Sequence, residues 1–363
     1  MNIAKADRRL SDTTTVTKRR ALWILNHKTL LPTDVRALKS LGVSVFTPKI
    51  VPKGHEFGYT VVTYEHDSEL DLPQGALKLL NEHNFYENAW GNTLTKVINA
   101  HFSVCITSIH QVPFVEALSK FKGPVIARVL GRETPHNYSQ TIAYYGVEGA
   151  VAERSEHFIL AQEFDEIGEY EEPYLACRAA TVGAPLPSAI WEQRGTWNGS
   201  GDSVLILCPI NSNPYYEPIH RDLKDLFQGV PHRIFQYEPM EDPAVLPTQT
   251  DDELLELFRV APVFAYQSTE PRHVHFSPIE AMVLGTPVLY LAGALIDTLA
   301  GKPLPGRCKT SSEMREKAVR LLNGDAALSF AIRQSQDAVT HQFSHETATS
   351  QWSNLLSRFG PLP

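Results

Sequence analysis

The stretch YQSTEPRHVHFSPIEAMVLGTPVLYLAG, residues 266–293, holds the end of one apolar strand, a polar loop, a short apolar helix and a second strand. Ser277 as the N-cap, Pro278 at the first helical position and Glu280 at the third predict a capping box. Gly285 follows the last helical residue, where a left-handed backbone conformation commonly ends a helix. A strand, a helix and a strand joined this closely are typical of a parallel α/β sheet.

The same alternation of apolar runs and amphipathic stretches extends over most of the chain. It is typical of parallel strands covered by helices on both faces. Predicted strands are ALWILN (21–26), VSVFTP (43–48), GYTVVTY (58–64), FSVCITS (102–108), PVIARVLG (124–131), HFILAQ (157–162), SVLILCP (203–209), HRIFQY (232–237), PVFAYQS (262–268) and TPVLYLA (286–292). Predicted helices lie near 33–41, 74–82, 92–100, 112–121, 251–261, 278–284 and 313–323, and a pair follows at the C-terminus.

The 363 residues suggest about two domains at roughly 150 residues each. A polar, glycine- and serine-containing segment over 187–202 interrupts the alternation and predicts a linker. We therefore expect a flexible tail over 1–20, a first domain over 21–186, a second over 203–340 and a final segment over 341–363. The predicted fold class is α/β, with two Rossmann-like, doubly wound domains facing across a cleft. Ligands bind such folds at the carboxyl ends of the strands.

Composition excludes several function classes. Asp plus Glu outnumber Lys plus Arg by 41 to 33, a net charge of −8, which argues against a nucleic-acid partner. Four scattered cysteines without a C-x-x-C pair favour reduced thiols in a cytoplasmic protein. No apolar run reaches the ~20 residues of a membrane span, so at most peripheral membrane contact is expected. No P-loop, G-x-S-x-G or G-x-G-x-x-G signature is present.

The loop before the predicted helix 278–284 concentrates charged and titratable side chains. Glu270, Arg272, His273 and His275 lie within six residues. A cation and two histidines at the positive end of a helix predict an anion site, since arginine can bind a phosphate through two parallel hydrogen bonds. The alternative is that these side chains are ordinary packed or surface residues.

On these residues the chain resembles the GT-B glycosyltransferases, most closely the family-four type. Their second domain carries an E-x7-E motif that continues into E-A-M-A-x-G-x-P-V, and EAMVLGTPV (280–288) matches its second half. The resemblance implies that Glu280 binds the ribose of a nucleotide sugar. The stretch 251–268 is similar to the helix and strand before the motif. The stretch 343–359 is similar to the terminal segment, whose helix crosses back to the first domain.

The chain departs from the family pattern at the donor site. Arg272 stands where the family has its first glutamate, and Glu270 replaces it only with a two-residue shift. The family's basic pair also lacks a match, because the corresponding stretch offers Asn211 and Asn213. The resemblance then implies that Arg272 and its neighbouring histidines hold the diphosphate. Donor-binding candidates are Glu280, Arg272, His273, His275, Ser277, Glu270, Asn211 and Asn213.

In the first domain, PVIARVLG resembles a family strand that ends in a histidine at the reaction centre, but Leu130 occupies that position. The next residues, Gly131-Arg132-Glu133, are expected to face the cleft. Glu133 is our candidate general base for an acceptor hydroxyl. The alternative is an ion pair of Glu133 with Arg132 or Arg128.

Two further candidates follow predicted strands of the first domain. His110, after FSVCITS, matches a histidine that recurs in the family and is the second catalytic candidate. His27 and Lys28 follow the first strand, where acceptor-binding loops usually lie, and with Arg132 they form the acceptor-binding set.

We therefore expect transfer of a sugar from a nucleotide-sugar donor to a glycan or lipid-linked acceptor, in surface polysaccharide synthesis. No metal and no other cofactor is expected, since no D-x-D triplet for a divalent ion appears. Arg272 and Leu130 leave retention or inversion at the sugar carbon open. The alternatives are a catalytically silent binding domain, a sugar-nucleotide epimerase, and a polymer phosphotransferase, which His273 and His275 favour.

Overall fold

A computed structural model describes residues 19–52, 65–66, 70–208, 216–236, 241–247 and 249–360. Two parallel sheets form the framework, one in each half of the chain. The first contains β1 (Arg20–Ile24), β2 (Ser44–Phe46), β3 (Val104–Thr107), β4 (Val125–Val129), β5 (Phe158–Gln162) and β6 (Ala179–Thr181). The second contains β7 (Val204–Leu207), β8 (His232–Phe235), β9 (Val263–Tyr266), β10 (Val288–Leu291) and β11 (Arg307–Cys308).

Helices separate these strands and cover the sheets. In the first half they are α1 (Leu30–Ser40), α2 (Gln74–Glu82), α3 (Asn92–His101), α4 (Gln111–Lys120), α5 (Tyr138–Tyr144), α6 (Glu148–Glu153), α7 (Asp165–Gly168), α8 (Pro173–Ala176) and α9 (Ser188–Glu192). In the second they are α10 (Tyr216–Leu226), α11 (Asp251–Val260), α12 (Phe276–Leu284), α13 (Leu295–Leu299), α14 (Ser311–Leu322), α15 (Ala326–Ser335), α16 (Asp337–Thr340) and α17 (His345–Ser357). The predicted fold class is confirmed.

Nine of the ten predicted strands overlap observed ones, and the tenth, GYTVVTY (58–64), lies outside the described residues. Of the predicted tail, only Arg19 and Arg20 are described, and Arg20 is the first residue of β1. The edge strands β6 and β11 were not predicted. They have three and two residues, respectively, which are too few to show a periodicity.

Each sheet has a position at which the strand order reverses. The order is β2-β1-β3-β4-β5-β6 in the first sheet and β11-β10-β9-β7-β8 in the second. The connections of β1 and β3, and likewise of β7 and β9, therefore diverge and leave a crevice at the carboxyl ends of the strands. Ligands bind α/β sheets in such crevices.

The segment predicted as a linker, 187–202, has structure of its own. It begins with α9, and its Trp197 lies against the second domain. The Trp197 backbone N–H donates to the Leu284 carbonyl at 2.9 Å, and the indole N–H donates to the Ala261 carbonyl at 2.7 Å. The Gly195 and Gly201 backbone N–H groups donate to the Val283 and Val260 carbonyls as well, so the segment is attached to the second domain at several points. Backbone bonds of this kind leave no mark in the polar composition from which a linker was predicted.

A buried ion pair of the first domain also binds a side chain of the last helix. The Arg128 Nε donates to Asp34 Oδ2 at 2.9 Å, and both side chains are completely buried. The indole N–H of Trp352, on α17, donates to the other Asp34 oxygen at 3.0 Å. The last helix also packs against α1 of the first domain.

In the described part of the chain, no helix combines the length and the apolar character that a membrane crossing requires.

Replacing Asp34 tests how much the buried ion pair contributes to the free energy of unfolding. Asp34→Ala leaves the Arg128 charge buried without a carboxylate, so we expect the free energy of unfolding to fall by about 3–5 kcal/mol. Urea denaturation followed by circular dichroism measures the loss. The control is Asp337→Ala, which removes an exposed pair with Arg194 and should cost less than about 1 kcal/mol. Equal losses in the two variants would contradict a structural role of the buried pair.

Candidate functional site

Two loops, one from each domain, meet through a buried carboxylate. Glu270 follows β9, and its side chain accepts from the Thr134 backbone N–H at 2.7 Å and from the Thr134 hydroxyl at 3.2 Å. Thr134 belongs to the loop after β4. Glu270 is only 7% exposed, so these bonds replace water that the charge has lost. The contact brings the carboxyl ends of the two sheets together.

A glycine permits the close approach of these loops. A Cβ atom added to Gly131 would overlap the Arg272 carbonyl oxygen and lie 2.9 Å from the His273 Cα. Only a residue without a side chain fits between the backbones. The Gly131 N–H donates to the Glu163 carboxylate at 3.2 Å, which holds the loop from the first-domain side.

Arg272, the predicted anion ligand, is engaged in the same contact. Its Nε lies 3.4 Å from Glu270 Oε1, and its Nη2 donates to the Thr134 hydroxyl at 3.2 Å. The guanidinium also lies 4.4 Å from the centre of the Tyr170 ring, and the residue is 3% exposed. Arg272 therefore stabilises the domain contact in this structure, and diphosphate binding by it stays a prediction.

A pocket of about 120 Å³ lies at the β7/β9 crevice, beside this contact. Its lining consists of Glu133 from the first domain and Leu207, Ile219, Tyr266, Gln267, Ser268, Thr269, Glu270, His273 and His275 from the second. Pockets that enclose a whole drug-sized ligand have roughly 300–1,000 Å³. This one suits a small polar group, such as a phosphate.

The two histidines of the pocket are neutral near pH 7. Burial lowers the pKa of His275 to about 3, and the neighbouring His273 contributes in the same direction. Burial also lowers the pKa of His273, against the opposing charges of Glu133 and Glu270. The ring centres are 4.8 Å apart, and His275 Nδ1 lies 3.1 Å from the Tyr266 hydroxyl.

The carboxylate of Glu133 completes a cluster with these rings. One ligand atom from each of Glu133, His273 and His275 lies within 4.8 Å of the others. Of the two arginines considered as ion-pair partners of Glu133, Arg128 binds Asp34, and Arg132 lies over the Tyr138 ring. General-base catalysis by Glu133 stays a prediction.

The predicted capping box at Ser277 is wrong. Helix α12 begins at Phe276 with His275 in the N-cap position, which places Ser277 second and Pro278 third in the helix. The reason is that Phe276 packs against the apolar clusters of both domains and is drawn into the first turn. Gly285 is left-handed at φ 96°, as predicted. Donor binding by Ser277, which is buried, stays a prediction.

The Glu280 side chain does not cap α12, and it lies near charged residues of both domains. Burial raises its pKa to about 7, Asp251 adds to the rise, and Lys28 opposes it. Lys28 from the first domain and Asp251 from the second form an ion pair of 2.9 Å. The electrostatic influence of this pair indicates that Glu280 lies near the domain interface.

The acceptor-binding candidates have structural partners. His27 Nδ1 accepts from the Thr29 and Leu30 backbone N–H groups at 3.2 and 3.4 Å, just before α1. Burial, with the Arg128 charge, lowers the His27 pKa to about 4. Arg132 donates to the Thr141 hydroxyl at 2.9 Å. Acceptor binding by His27, Lys28 and Arg132 stays a prediction.

The remaining candidates are dispersed. His110 is half-buried in the N-cap position of α4, at the carboxyl end of β3. It does not line the pocket, and its catalytic role stays a prediction. Asn211 and Asn213 lie outside the described residues.

Sequence reasoning missed Glu163, which follows β5 at the same edge of the sheet. Burial raises its pKa to about 7, opposed by Arg128 and by the Gly131 N–H. Its signal in the sequence was an acidic residue immediately after the apolar run HFILAQ. A charged residue at that place either binds a ligand or holds a neighbouring loop. In the structure Glu163 accepts a hydrogen bond from the Gly131 N–H and so holds the loop after β4.

Comparison with known proteins shows the fold. No protein-family model and no curated protein matches the chain. The solved structure of Anabaena HepE, in complex with UDP and glucose, matches with a TM-score of 0.61 at 13% identity, covering 94% of this chain and 99% of that one. A glycosyltransferase from Rickettsia africae matches with a TM-score of 0.62 at 10% identity, covering 94% and 98%.

An Escherichia coli structure, described as trehalose-6-phosphate bound with UDP-2-fluoro glucose, matches with a TM-score of 0.59 at 9% identity, covering 93% and 98%. At these identities the likeness shows the architecture: two Rossmann-like domains in the GT-B arrangement.

The raised pKa of Glu163 predicts a pH dependence of stability. The unfolded chain releases this proton near pH 4.5 and the folded chain near pH 7, so stability falls as the pH rises through that window. Glu163→Gln keeps an oxygen for the Gly131 N–H and cannot ionise. We expect the wild type to lose on the order of 2 kcal/mol more than this variant between pH 5 and 8.

Chemical denaturation at both pH values measures the difference between the two proteins. Glu169→Gln, which alters an exposed glutamate in the same part of the chain, should follow the wild type. If Glu163→Gln also followed it, Glu163 would be ionised throughout.

Proposed function

We propose that the chain is a glycosyltransferase that moves a sugar from a nucleotide-sugar donor to a hydroxyl of a glycan or lipid-linked acceptor. The observation that carries the proposal is Glu280. It matches the ribose-binding glutamate of the family-four motif, and it lies on the helix that begins at the pocket. Its side chain does not cap α12, so helix capping does not account for a glutamate at this position.

The donor would bind along α12. Glu280 would accept hydrogen bonds from the ribose hydroxyls, and the diphosphate would lie at the start of the helix beside His273 and His275. No described side chain caps this helix, so backbone N–H groups of its first turn remain for an anion. The positive end of the helix dipole favours the same placement. The pocket has room for the phosphate portion, in agreement with this arrangement.

The reaction forms a bond between the acceptor oxygen and the anomeric carbon and breaks the bond from that carbon to the diphosphate oxygen. The bonding electrons leave with the diphosphate, where hydrogen bonds to the growing charge lower the barrier. The proton of the acceptor hydroxyl passes to a base, for which Glu133 is the candidate. The proposal covers either stereochemical outcome.

Uridine nucleotides are the first donors to test, because two structures of similar fold contain UDP or a UDP-sugar. We further propose that the protein acts in the cytoplasm, in surface polysaccharide synthesis, with at most peripheral membrane contact.

A silent binding domain is the second candidate. Arg272, which stands in the place of the family's first glutamate, is engaged by Glu270 and Thr134 in the domain contact. In this second candidate function, the protein binds a nucleotide and catalyses no reaction of it.

Substitution of Glu280 tests the proposal. We expect UDP or a UDP-sugar to raise the melting temperature of the wild type, because a ligand of the native state stabilises it. At pH 8, where Glu280 with its pKa of about 7 is mostly ionised, Glu280→Ala should weaken nucleotide affinity about tenfold to a hundredfold, since hydrogen bonds to a charged group contribute roughly 1.5–3 kcal/mol. Glu316→Ala, an exposed glutamate on α14, is the control and should keep the affinity.

Thermal unfolding and calorimetric titration with UDP-, GDP-, dTDP- and CMP-sugars measure binding, and release of the nucleoside diphosphate measures turnover. Binding without turnover on any acceptor would favour the silent domain. Absence of binding to all four classes would contradict both candidates, and the epimerase and phosphotransferase alternatives would then be tested next.

A further inference from the structure

We propose that Glu133, His273 and His275 form a divalent metal site that joins the two domains at the pocket. One ligand atom from each residue lies within 4.8 Å of the others. Two imidazoles and one carboxylate are a ligand set that first-row transition metals such as Zn²⁺, Co²⁺ and Mn²⁺ bind. Three protein ligands leave coordination positions for oxygen atoms of a substrate.

The backbone presents both histidines on one side. His275 has extended dihedral angles, and residues two apart in an extended chain point to the same side. Val274, between them, is buried in the apolar core, while both histidines line the pocket. The motif His-x-His therefore directs two imidazoles at one point, and the loop after β4 brings Glu133 to it from the other domain.

The surroundings of the rings suit metal ligation. The Nδ1 atom of His273 is buried and has no hydrogen-bond partner among the described residues. A buried polar atom without a hydrogen bond destabilises the folded protein, and a bond to a cation removes this penalty. His275 Nδ1 lies 3.1 Å from the Tyr266 hydroxyl, which can accept its proton and leave Nε2 for a metal.

The distances require a small contraction. Bonds of about 2.0–2.2 Å in a tetrahedral site place ligand atoms roughly 3.4 Å apart. The widest separation in the cluster, at most 4.8 Å, therefore closes by up to about 1.4 Å when a cation binds. Because Glu133 belongs to the first domain and the histidines to the second, the cation fastens the two loops together.

A bound cation would also add positive charge for a diphosphate in the pocket, and this part of the inference rests on the proposed function. The charge of Arg272 is neutralised by Glu270, so a diphosphate in the pocket would need a further source of positive charge. A bound cation supplies it. In this form Glu133 is a ligand rather than the base, and the acceptor proton passes to an oxygen of the departing diphosphate.

The absence of a D-x-D triplet, which predicted a chain without a metal, does not bear on this site. Its ligands come from loops 140 residues apart in sequence, and two of them are histidines. No local acidic motif is required to assemble it.

The experiment uses the full chain without a histidine tag, stripped with a chelator and dialysed. Titration with Co²⁺, followed by visible absorption, and with Zn²⁺, followed by calorimetry, should give one bound cation per chain. His273→Ala, His275→Ala and Glu133→Gln should each weaken binding at least tenfold. His136→Ala, an exposed histidine in the same loop as Glu133, is the control and should bind as the wild type does. Circular dichroism of the metal-free variants verifies that each is folded.

Absence of a saturable equivalent of cation, or equal affinity in the wild type and all four variants, would overturn the site. UDP titration in the presence of chelator separates this result from the proposed function. One bound cation without nucleotide binding supports the site and contradicts the donor proposal. Nucleotide binding without any cation binding leaves the donor proposal standing and removes the metal.

Discussion

The buried carboxylate of Glu270 is the constraint on which the domain arrangement depends. Its charge is shielded from water, and its hydrogen-bond donors belong to both domains: Thr134 from the first, and Arg272 from its own loop. Separating the domains would remove the Thr134 bonds and leave the carboxylate to be hydrated again. Gly131 allows the loops to approach closely enough for these bonds to form. The pocket beside them exists because this contact is made.

The same contact determines the electrostatics of the pocket. Arg272 neutralises Glu270, so its charge is used inside the protein rather than offered to a ligand. Burial keeps His273 and His275 neutral, which makes them hydrogen-bonding groups or metal ligands rather than cations. Positive potential at the pocket then comes from the start of α12, and the proposed cation would add to it. An acidic chain can bind an anion in this way without a basic surface.

Sequence periodicity predicted both sheets, because parallel strands buried on two faces read as continuous apolar runs. The match of EAMVLGTPV (280–288) located the helix beside the pocket, yet its first residue was misplaced, since the packing of Phe276 between two apolar clusters is a tertiary effect. The orientation of Arg272 was equally unpredictable. Its neighbours suggested a ligand, while its partners Thr134 and Tyr170 lie more than a hundred residues away in sequence.

The buried pair of Asp34 and Arg128 connects this site to the rest of the first domain. Asp34 lies on α1, directly after the loop that carries Lys28, and Arg128 lies on β4, just before the loop that carries Glu133. Their ion pair therefore holds two cleft loops in one arrangement, and Trp352 extends the same network to the last helix. Since α17 follows the second domain in the chain, the bond from Trp352 to Asp34 fixes the end of the chain to the first domain. The loops that carry Lys28 and Glu133 and the last helix therefore share one buried network.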